Sequence, residues 1–470
     1  MLYKKITVFF LLSLATTHAY SLDLWSVYAL ALKQDATLKI AQQKYLVDQQ
    51  TAVEGKSLLR PNVSANARVG KSFYDSDSPN YSEVLAGFQG DLECVQNNTC
   101  LTERLQAASS GTTSSKYTSQ SIGLNLTQPI YDKTRWHEYK KLQILSKKGA
   151  VTLNQTHADL IYRTAEAYLT ALQALNNLKQ GRAEHTDLRR QLRFAQRQLQ
   201  KGFGRASDLY ELRTADQLKS SQAQILQSGL KAALSELSAL VGRRVHSKEI
   251  QRLEVKIPVK SLKPHGEQAW IGLAKKYNAL VQDATLEAQF AAEELKLKKS
   301  ARQPKVNLFA NYNNSKTSGG QGFVPGAETK FLGVDITAPL YQGGAMGAAK
   351  KKAQYQSQAS EHKLKQQQQR LSVSVAALYA QIQGSVRTFS ILTDSLSAAQ
   401  RAESNLSHGA SKGVVSVAEL HRAKEKTASI RGRIEALRFE YLLNKLKLRQ
   451  LVGVLNARDL KAINSLLAAN

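Results

Sequence analysis

The stretch Thr127-Gln128-Pro129-Ile130-Tyr131 recurs 210 residues later as Thr337-Ala338-Pro339-Leu340-Tyr341. The similarity continues downstream, where Lys201-Gly202 matches Lys412-Gly413 and Leu240-Val241-Gly242 matches Leu451-Val452-Gly453, both at an offset of 211. A self-similarity of this length indicates that one structural unit is present twice. The chain is therefore predicted to be an internal duplication.

The two copies differ in the segment that precedes the repeated proline. Pro61 and Pro129 of the first copy are 68 positions apart, whereas Pro304 and Pro339 of the second are 35 apart, so the first copy has a surplus of 33 residues. The surplus lies within 73–118, which contains Cys94 and Cys100. Two cysteines so close together in an exported chain predict a small disulfide loop.

Downstream of each repeated proline, apolar residues are spaced alternately by four and three positions, which is typical of helices packed as a coiled coil. The chain has no proline in 130–257 or 340–470. Each copy is thus predicted to contain a helical hairpin whose long arm, of about 69 residues, would measure about 100 Å. The repeating residues are Ile161, Ala165, Tyr168 and Leu172 in the first copy, and Leu371, Val375, Leu378 and Ile382 in the second.

The predicted arms of these hairpins meet at glycine turns, because glycine enters positive φ at little cost. Gly202 and Gly204 form the first turn and Gly413 the second. Each returning arm is only about half as long as the long arm. A shorter helix before the strands of each copy, at 24–58 and 267–301, is predicted to supply the remaining length. The long arms are predicted at 132–200 and 343–410, and the returning arms at 206–242 and 416–453.

Between the prolines of each copy the apolar period falls to two, which predicts β-strands. Apolar and polar residues alternate over segments of about ten residues, and this fits a transmembrane β-barrel better than a soluble sandwich. The four strands form two hairpins. They are predicted at about 62–72, 119–128, 305–314 and 331–340.

Four strands cannot close a barrel, and an open strand edge in lipid leaves backbone groups unsatisfied. A dimer would supply eight strands, whose interior is filled by side chains, whereas a trimer would supply twelve and leave room for water. The predicted fold is therefore mainly α with a β-barrel that more than one chain must close, and a trimer would give a 12-stranded barrel extended by an α-helical tunnel.

The N-terminus predicts export. Lys4 and Lys5 precede an apolar run and then small residues, so residues 1–21 are expected to be a signal peptide. The mature chain would then consist of a first repeat at 22–242, a linker at 243–266, a second repeat at 267–453 and a C-terminal segment at 454–470.

The composition limits the remaining function classes. The chain has 65 Lys and Arg against 37 Asp and Glu, a formal charge of +28, but no nucleic-acid recognition motif accompanies this excess. No metal-protease, phosphate-loop, dinucleotide or nucleophile-elbow pattern occurs. We therefore expect no enzyme activity, no cofactor, no metal site and no nucleic-acid partner.

The chain resembles the TolC family of outer-membrane efflux and secretion channels over almost its whole mature length. The residues that carry this resemblance are the junction 338–344, the duplicated glycine turns and the segment 453–460. The resemblance implies a homotrimer in outer-membrane lipid, with a helical tunnel in the periplasm and an equatorial belt built from the linker and C-terminus. It also implies a periplasmic adaptor and an inner-membrane pump of the ABC, RND or MFS type.

In the resembled family, acidic rings narrow the periplasmic end just after the glycine turns. Asp208 and Glu419, each six residues beyond its glycine, match such positions. A further acidic position is Arg422 here, and the family's constriction tyrosine and arginine would fall at Ala410 and Val415. These departures imply a different closed state. Alternatively, Asp208 and Glu419 stabilise helix N-termini, or serve both purposes.

Two functions of different classes follow from these patterns. The first is a passive exit duct of a tripartite efflux pump or a type I secretion system. The alternative is a periplasmic coiled-coil adaptor or scaffold without a pore. The four alternating segments distinguish the two, because an adaptor needs no lipid-facing strands.

Overall fold

The computed structural model describes residues 22–76, 103, 113–250, 257–319 and 326–468. The predicted signal peptide and the predicted Cys94–Cys100 disulfide lie outside these residues.

The described chain contains the duplicated order of two helices, two strands and two helices, followed by a last helix. The first copy comprises α1 Leu24–Gln34, α2 Ala36–Ser57, β1 Asn62–Ser76, β2 Thr113–Tyr131, α3 Lys133–Gln200 and α4 Ala206–Val241. The second comprises α5 Glu267–Tyr277, α6 Ala279–Ser300, β3 Lys305–Ser318, β4 Ala327–Thr337, α7 Ala345–Ser411 and α8 Val417–Val452, and α9 spans Ala457–Ala468.

Two compact units divide the chain. The helical unit contains the residues up to Gln49, Leu145–Gln289 and the chain from Gln358 onward. The other, which we call the sheet unit, contains the described parts of Gln50–Ile144 and Phe290–Ser357. None of the described helices has an apolar stretch long enough to cross a bilayer.

The core of the helical unit confirms the spacing predicted for the coiled coils. In α3, Ile161, Ala165, Tyr168 and Leu172 are buried, and the last three are fully buried. A second cluster buries Leu371, Val375 and Ile382 of α7. Burial of one such aliphatic side chain stabilises the fold by about 1.5–3 kcal/mol, so these seams position the long helices.

The short helices differ from the prediction because each is interrupted once. Asp35 ends α1, where its backbone N–H donates to Ala31 O, and its Oδ1 accepts from the N–H of Leu38, the third residue of α2, at 2.6 Å. Asn278 does the same between α5 and α6, and its Oδ1 accepts from Val281 N at 2.9 Å. Both residues have extended ψ, 112° and 129°, so one residue ends a helix and caps the next.

The linker and the C-terminal helix share the main core of the helical unit. Val245 and Ile257 of the linker are buried in the same cluster as Leu460 and Ile463 of α9. Asn464 Nδ2 also donates to Asp23 Oδ2 at 2.8 Å, next to the start of α1. The two segments therefore pack together although Ile257 and Leu460 are 203 positions apart in the sequence.

The sheet unit contains one antiparallel sheet in the order β1-β2-β3-β4. All four predicted strands are present, and three extend beyond the predicted alternation. The fourth begins and ends earlier than expected, at Ala327 and Thr337, where it pairs with Lys305. Pro339 follows this end and has no N–H to donate to a neighbouring strand. In β2 the pairing continues through Pro129 to Tyr131 with a register shift.

Candidate functional site

The turn of the first helical hairpin needs two glycines for two different reasons. Gly202 has φ +79°, a conformation that favours glycine. At Gly204 an added Cβ would lie 2.6 Å from the backbone nitrogen of Leu199, which leaves no room for a side chain. The N–H groups of Phe203 and Gly204 donate to Gln198 O and close the end of α3.

The second hairpin turns in a similar way. Gly413 has φ +77°, and the N–H of Val414 donates to Gly409 O at 3.0 Å. Gly409 was not identified from the sequence; a Cβ there would meet Val415 Cγ2 at 2.6 Å. The sequence signal that could have identified Gly409 is the presence of a glycine in the last turn of the predicted helix. Ala410, at one of the constriction positions that the resemblance implied, is buried, and Val415 is half-buried.

An exposed apolar residue follows the turn glycine in both hairpins. Phe203 is 84% exposed and Val414 is 81% exposed, among the most exposed large apolar side chains of the described chain. An isolated exposed apolar residue is common on protein surfaces. Equivalent positions of the two duplicated turns therefore both expose an apolar side chain.

The two acidic residues singled out from the sequence occupy equivalent places. Asp208 lies in the first turn of α4 and is half-buried, whereas Glu419 lies in the first turn of α8 and is exposed. Ser416 caps α8, and its Oγ accepts from Glu419 N at 3.2 Å. Negative charge in a first helical turn is stabilising, so both carboxylates suit the helix starts.

Arg422, which stands where the resemblance implied a second acid, contacts the other hairpin. Its Nε lies 3.5 Å from Oε1 of Glu211 in α4. Both side chains are largely exposed, so the net contribution of this pair is small, at about 0–1 kcal/mol. The structure thus brings Arg422 to Glu211, a residue that the sequence did not identify.

Two better shielded ion pairs join the hairpins slightly further from the turns. Lys424 of α8 donates to Asp187 Oδ2 of α3 at 2.8 Å, and Gln191 Nε2 donates to the same oxygen. Burial by itself would raise the pKa of Asp187, but these donors hold that pKa below its usual value. Lys219 Nζ of α4 lies 2.9 Å from Glu184 and 3.5 Å from Glu425.

A buried histidine lies among these charges. His421 of α8 is only 4% exposed, and neither ring nitrogen has a hydrogen-bond partner among the described residues. Burial lowers the pKa of His421, while the Glu425 carboxylate, 3.8 Å from Nε2, opposes the shift. Lys219 lowers the pKa further, and Glu211 and Asp187 raise it. The neutral imidazole is therefore favoured.

The two faces of the sheet differ in chemistry. Paired residues lie on the same face, so the registers place an apolar set on one face. The other face carries a mainly polar set together with the stacked rings of Phe309 and Phe331. On the polar face Asn125 Nδ2 donates to Asn66 Oδ1 at 3.0 Å, and Asn311 Nδ2 donates to Asn125 Oδ1. The apolar face includes Val63, Ala65, Ile122, Leu124, Leu126, Leu308, Ala310, Leu332, Val334 and Ile336.

Such a sheet has the chemistry of a barrel wall between lipid and water. The sequence profile of the family described as "Outer membrane efflux protein" matches residues 27–243 and 270–454. The chain belongs to this outer-membrane efflux protein family, as the resemblance to TolC predicted. It is therefore an outer-membrane exit duct used in efflux or type I secretion.

Similar proteins include both secretion and efflux components. The chain is 25% identical over 448 residues to the alkaline protease secretion protein AprF of Pseudomonas aeruginosa, covering 95% of this chain and 87% of AprF. It is 21% identical to the proteases secretion protein PrtF of Dickeya chrysanthemi, covering 97% and 94%. The outer membrane protein TolC of Escherichia coli K12 is 24% identical, covering 74% and 72%.

Solved structures confirm the fold. The outer membrane protein VceC of Vibrio cholerae has a TM-score of 0.72 at 15% identity, covering 92% of this chain and 96% of VceC. The open state of the MtrE outer membrane channel of Neisseria gonorrhoeae has a TM-score of 0.71 at 15% identity, covering 94% of both chains. The predicted helical tunnel with a small sheet is thus the fold of outer-membrane channels.

Proposed function

We propose that this chain is the homotrimeric outer-membrane exit duct of a type I secretion system, through which proteins pass to the exterior. The observation that carries the proposal is the two-faced, four-stranded sheet. Within the described strands, β1 pairs only with β2 and β4 only with β3. In lipid the free edges must be paired, and three copies in a ring would give a closed barrel of twelve strands.

The same sheet disfavours the alternative of a periplasmic adaptor or scaffold without a pore. Leu332 on the apolar face is 72% exposed and Ile336 is 68% exposed. A contiguous exposed apolar face in water is an aggregation liability, whereas in lipid it is the required surface. The Asn66, Asn125 and Asn311 side chains would then line the water-filled interior.

The hairpin turns are the surface that we propose for the periplasmic adaptor. Phe203 and Val414 supply exposed apolar contacts, and the exposed Glu211 and Arg422 pair lies close to the helix starts. Apolar contacts surrounded by charged residues suit the tips of a helical partner. Asp208 and Glu419 would form three-fold acidic rings at the tunnel entrance, and an ABC-type inner-membrane transporter would supply the energy. The linker and α9 would form the equatorial belt.

The share of this chain that each alignment covers favours protein cargo over small molecules. The alignments with the two protease secretion proteins cover 95% and 97% of this chain, whereas the alignment with TolC covers 74%. Small-molecule efflux is the second candidate, because the family is described by efflux.

The test is deletion of the coding sequence in the native host, with the wild-type chain restored as the control. We expect at least one protein to disappear from the culture medium, while the inhibitory concentrations of antibiotics and detergents stay unchanged. Unchanged medium proteins with lowered inhibitory concentrations would instead establish small-molecule efflux.

A matched pair of variants tests the adaptor surface. Phe203→Ser with Val414→Ser should abolish complementation but leave the native trimer mass and the conductance in planar bilayers unchanged. Leu218→Ser with Ile225→Ser, which changes two other exposed apolar residues of α4 away from the turns, should complement normally. Normal secretion by the turn variant would contradict the proposed docking surface.

A further inference from the structure

Each of the four strands carries a lysine on the apolar face, beyond its apolar residues. We call this set the lysine row: Lys71 of β1, Lys116 of β2, Lys316 of β3 and Lys330 of β4. All four side chains are exposed. In each strand the lysine lies toward the end that is away from the neighbouring helix, which is α2 for β1, α3 for β2, α6 for β3 and α7 for β4.

The registers establish that these lysines share a face. Lys71 pairs with Thr118, two positions from Lys116 and two from Gln120 on the same face of β2. Gln120 pairs with Lys316, and Tyr312, four positions before Lys316, pairs with Lys330. Even spacing along a strand keeps side chains on one face, so all four ammonium groups project from the apolar side.

The position of each lysine follows the limit of the apolar segment in its own strand. In β4 Lys330 comes directly after Leu332 on the apolar face, and in β1 Lys71 comes directly after Val69. In β2 and β3 the lysine comes after one or more intervening polar residues on that face. The lysines therefore lie at different register levels: Lys71 is opposite Thr118, whereas Lys330 is opposite Tyr312.

Neighbouring groups leave the lysine row strongly basic. Glu328 lies on this face, and its Oε1 is 2.9 Å from Lys330 Nζ. Lys116 lies 5.8 Å from the centre of the Phe73 ring. The four ammonium groups outnumber the carboxylates at the strand positions of this face, so the row keeps a net positive charge. On the polar face, the basic residues of the described strands are Arg68 and Lys305.

The two ends of the apolar face are unlike. Near the helices its paired residues are Val306 and Ile336, and next Leu308 and Val334. At the far end the apolar residues give way to lysines. In an outer-membrane channel whose helices lie in the periplasm, the far end faces the exterior. The external leaflet of such a membrane consists of glycolipid that carries phosphate groups.

We propose that the lysine row is a binding surface for the phosphates of that outer-leaflet glycolipid, with its acyl chains on the apolar residues below. Lysine ammonium groups bind phosphate as point charges, and each basic residue near an anionic membrane surface strengthens attachment. An uncharged sterol would gain nothing from a row of cations. The inference rests on the outer-membrane location and is independent of the cargo.

The experiment uses the full mature chain, purified as its native assembly in detergent, and native mass spectrometry to measure lipid binding. The probes are diphosphorylated lipid A, the same lipid with both phosphates removed, and phosphatidylglycerol. The variant replaces Lys71, Lys116, Lys316 and Lys330 by Gln, and a second variant replaces them by Arg. The matched control replaces four exposed helix lysines by Gln: Lys39, Lys363, Lys365 and Lys426.

We expect the wild-type chain to bind diphosphorylated lipid A at least about tenfold more tightly than the dephosphorylated lipid or phosphatidylglycerol. The Gln variant should lose this preference, and the Arg and control variants should keep it. Equal binding of the three lipids, or an equal loss in the helix control, overturns the proposal. If the fourfold Gln variant does not assemble, two double variants replace it: Lys71→Gln with Lys116→Gln, and Lys316→Gln with Lys330→Gln. Each is expected to weaken the binding of diphosphorylated lipid A. Unchanged binding in both double variants overturns the proposal. Complementation of secretion is measured separately, so failure of the proposed cargo would not alter this result.

Discussion

Lys424 Nζ lies 2.8 Å from Asp187 Oδ2, which joins the returning arm of the second hairpin to the long arm of the first. The two residues are 237 positions apart, and their side chains are about one third exposed, at 29% and 35%. This contact links the two copies of the duplicated unit on the turn side of the helical hairpins.

Loss of this ion pair should loosen the turns. We expect Lys424→Met and Asp187→Asn each to raise the rate of trypsin cleavage at Lys201 and Lys412 about twofold to threefold, because a pair this exposed is worth at most about 1 kcal/mol. The double variant should cleave no faster than the more sensitive single variant. Fully additive effects would show that the two side chains do not interact.

The packing around His421 should weaken on acidification. Its pKa is lowered in the folded protein from an ordinary value of 6.5, so an opened state binds the proton more readily. The stabilisation is therefore present above about pH 6.5 and is lost as the pH falls below it. Between pH 7.5 and 5.5 the wild-type Tm should fall about 2–4 °C further than that of His421→Leu.

The matched control for this pH effect is His408→Leu, because His408 is exposed near the end of α7. This variant should keep the wild-type dependence of Tm on pH. An unchanged dependence in His421→Leu would contradict a role for the buried imidazole.

The proposed acidic ring makes an electrical prediction. If three copies of Glu419 face a narrow aqueous passage, their charge attracts cations, so Glu419→Gln should lower the preference for cations over anions. The measurement is the reversal potential of single channels in a salt gradient. Glu361→Gln, an exposed change of equal charge on α7, is the control. An unaltered reversal potential in Glu419→Gln would place this carboxylate away from the passage.

Alanine substitutions at the two glycines of the first turn should differ in their effect on stability. Gly202→Ala should destabilise the turn by about 1–2 kcal/mol, because alanine is disfavoured at positive φ. Gly204→Ala should cost more, since its Cβ would require the backbone at Leu199 to move. Gly229→Ala, in the open middle of α4, is the control and should be neutral or stabilising by up to about 1 kcal/mol. Thermal unfolding of the assembled protein measures all three, and equal effects at 202 and 204 would contradict the steric argument.

Much of the fold was accessible from the sequence because it is repetitive. The spacing of residues such as Ile161 and Tyr168 predicted buried helix seams, and alternation around Leu124 predicted a two-faced strand, and both are confirmed. These patterns depend on local geometry alone, with periods of 3.5 and 2.

The interruptions at Asp35 and Asn278 could not be predicted in the same way. The apolar spacing continues across them, and neither a proline nor a glycine marks the break. Each depends on tertiary contacts: Asp35 Oδ2 accepts from Arg163 at 3.0 Å, and Asn278 Nδ2 donates to Leu451 O at 2.7 Å.

The contacts near the turns could not be predicted from the sequence either. Whether Arg422 meets Glu211, or His421 is buried, depends on how the helices rotate against one another, which residue spacing does not fix. The lysine row, in contrast, had a signal: continuing the alternation past Val69 and before Leu332 leads directly to Lys71 and Lys330.

The asparagine ladder has a consequence for transport. Asn125 uses its amide hydrogen to bind Asn66 and its carbonyl oxygen to bind Asn311. An asparagine amide has two N–H donors and an oxygen with two lone pairs, so Asn125 keeps one N–H and one lone pair for water. In the proposed duct the ladder would hold these side chains in fixed positions while the wall stays wetted. Conduction requires that cargo leave as readily as it arrives. Water bound at such a wall exchanges with a hydrated passenger at little cost, so cargo would not be held at this level of the duct.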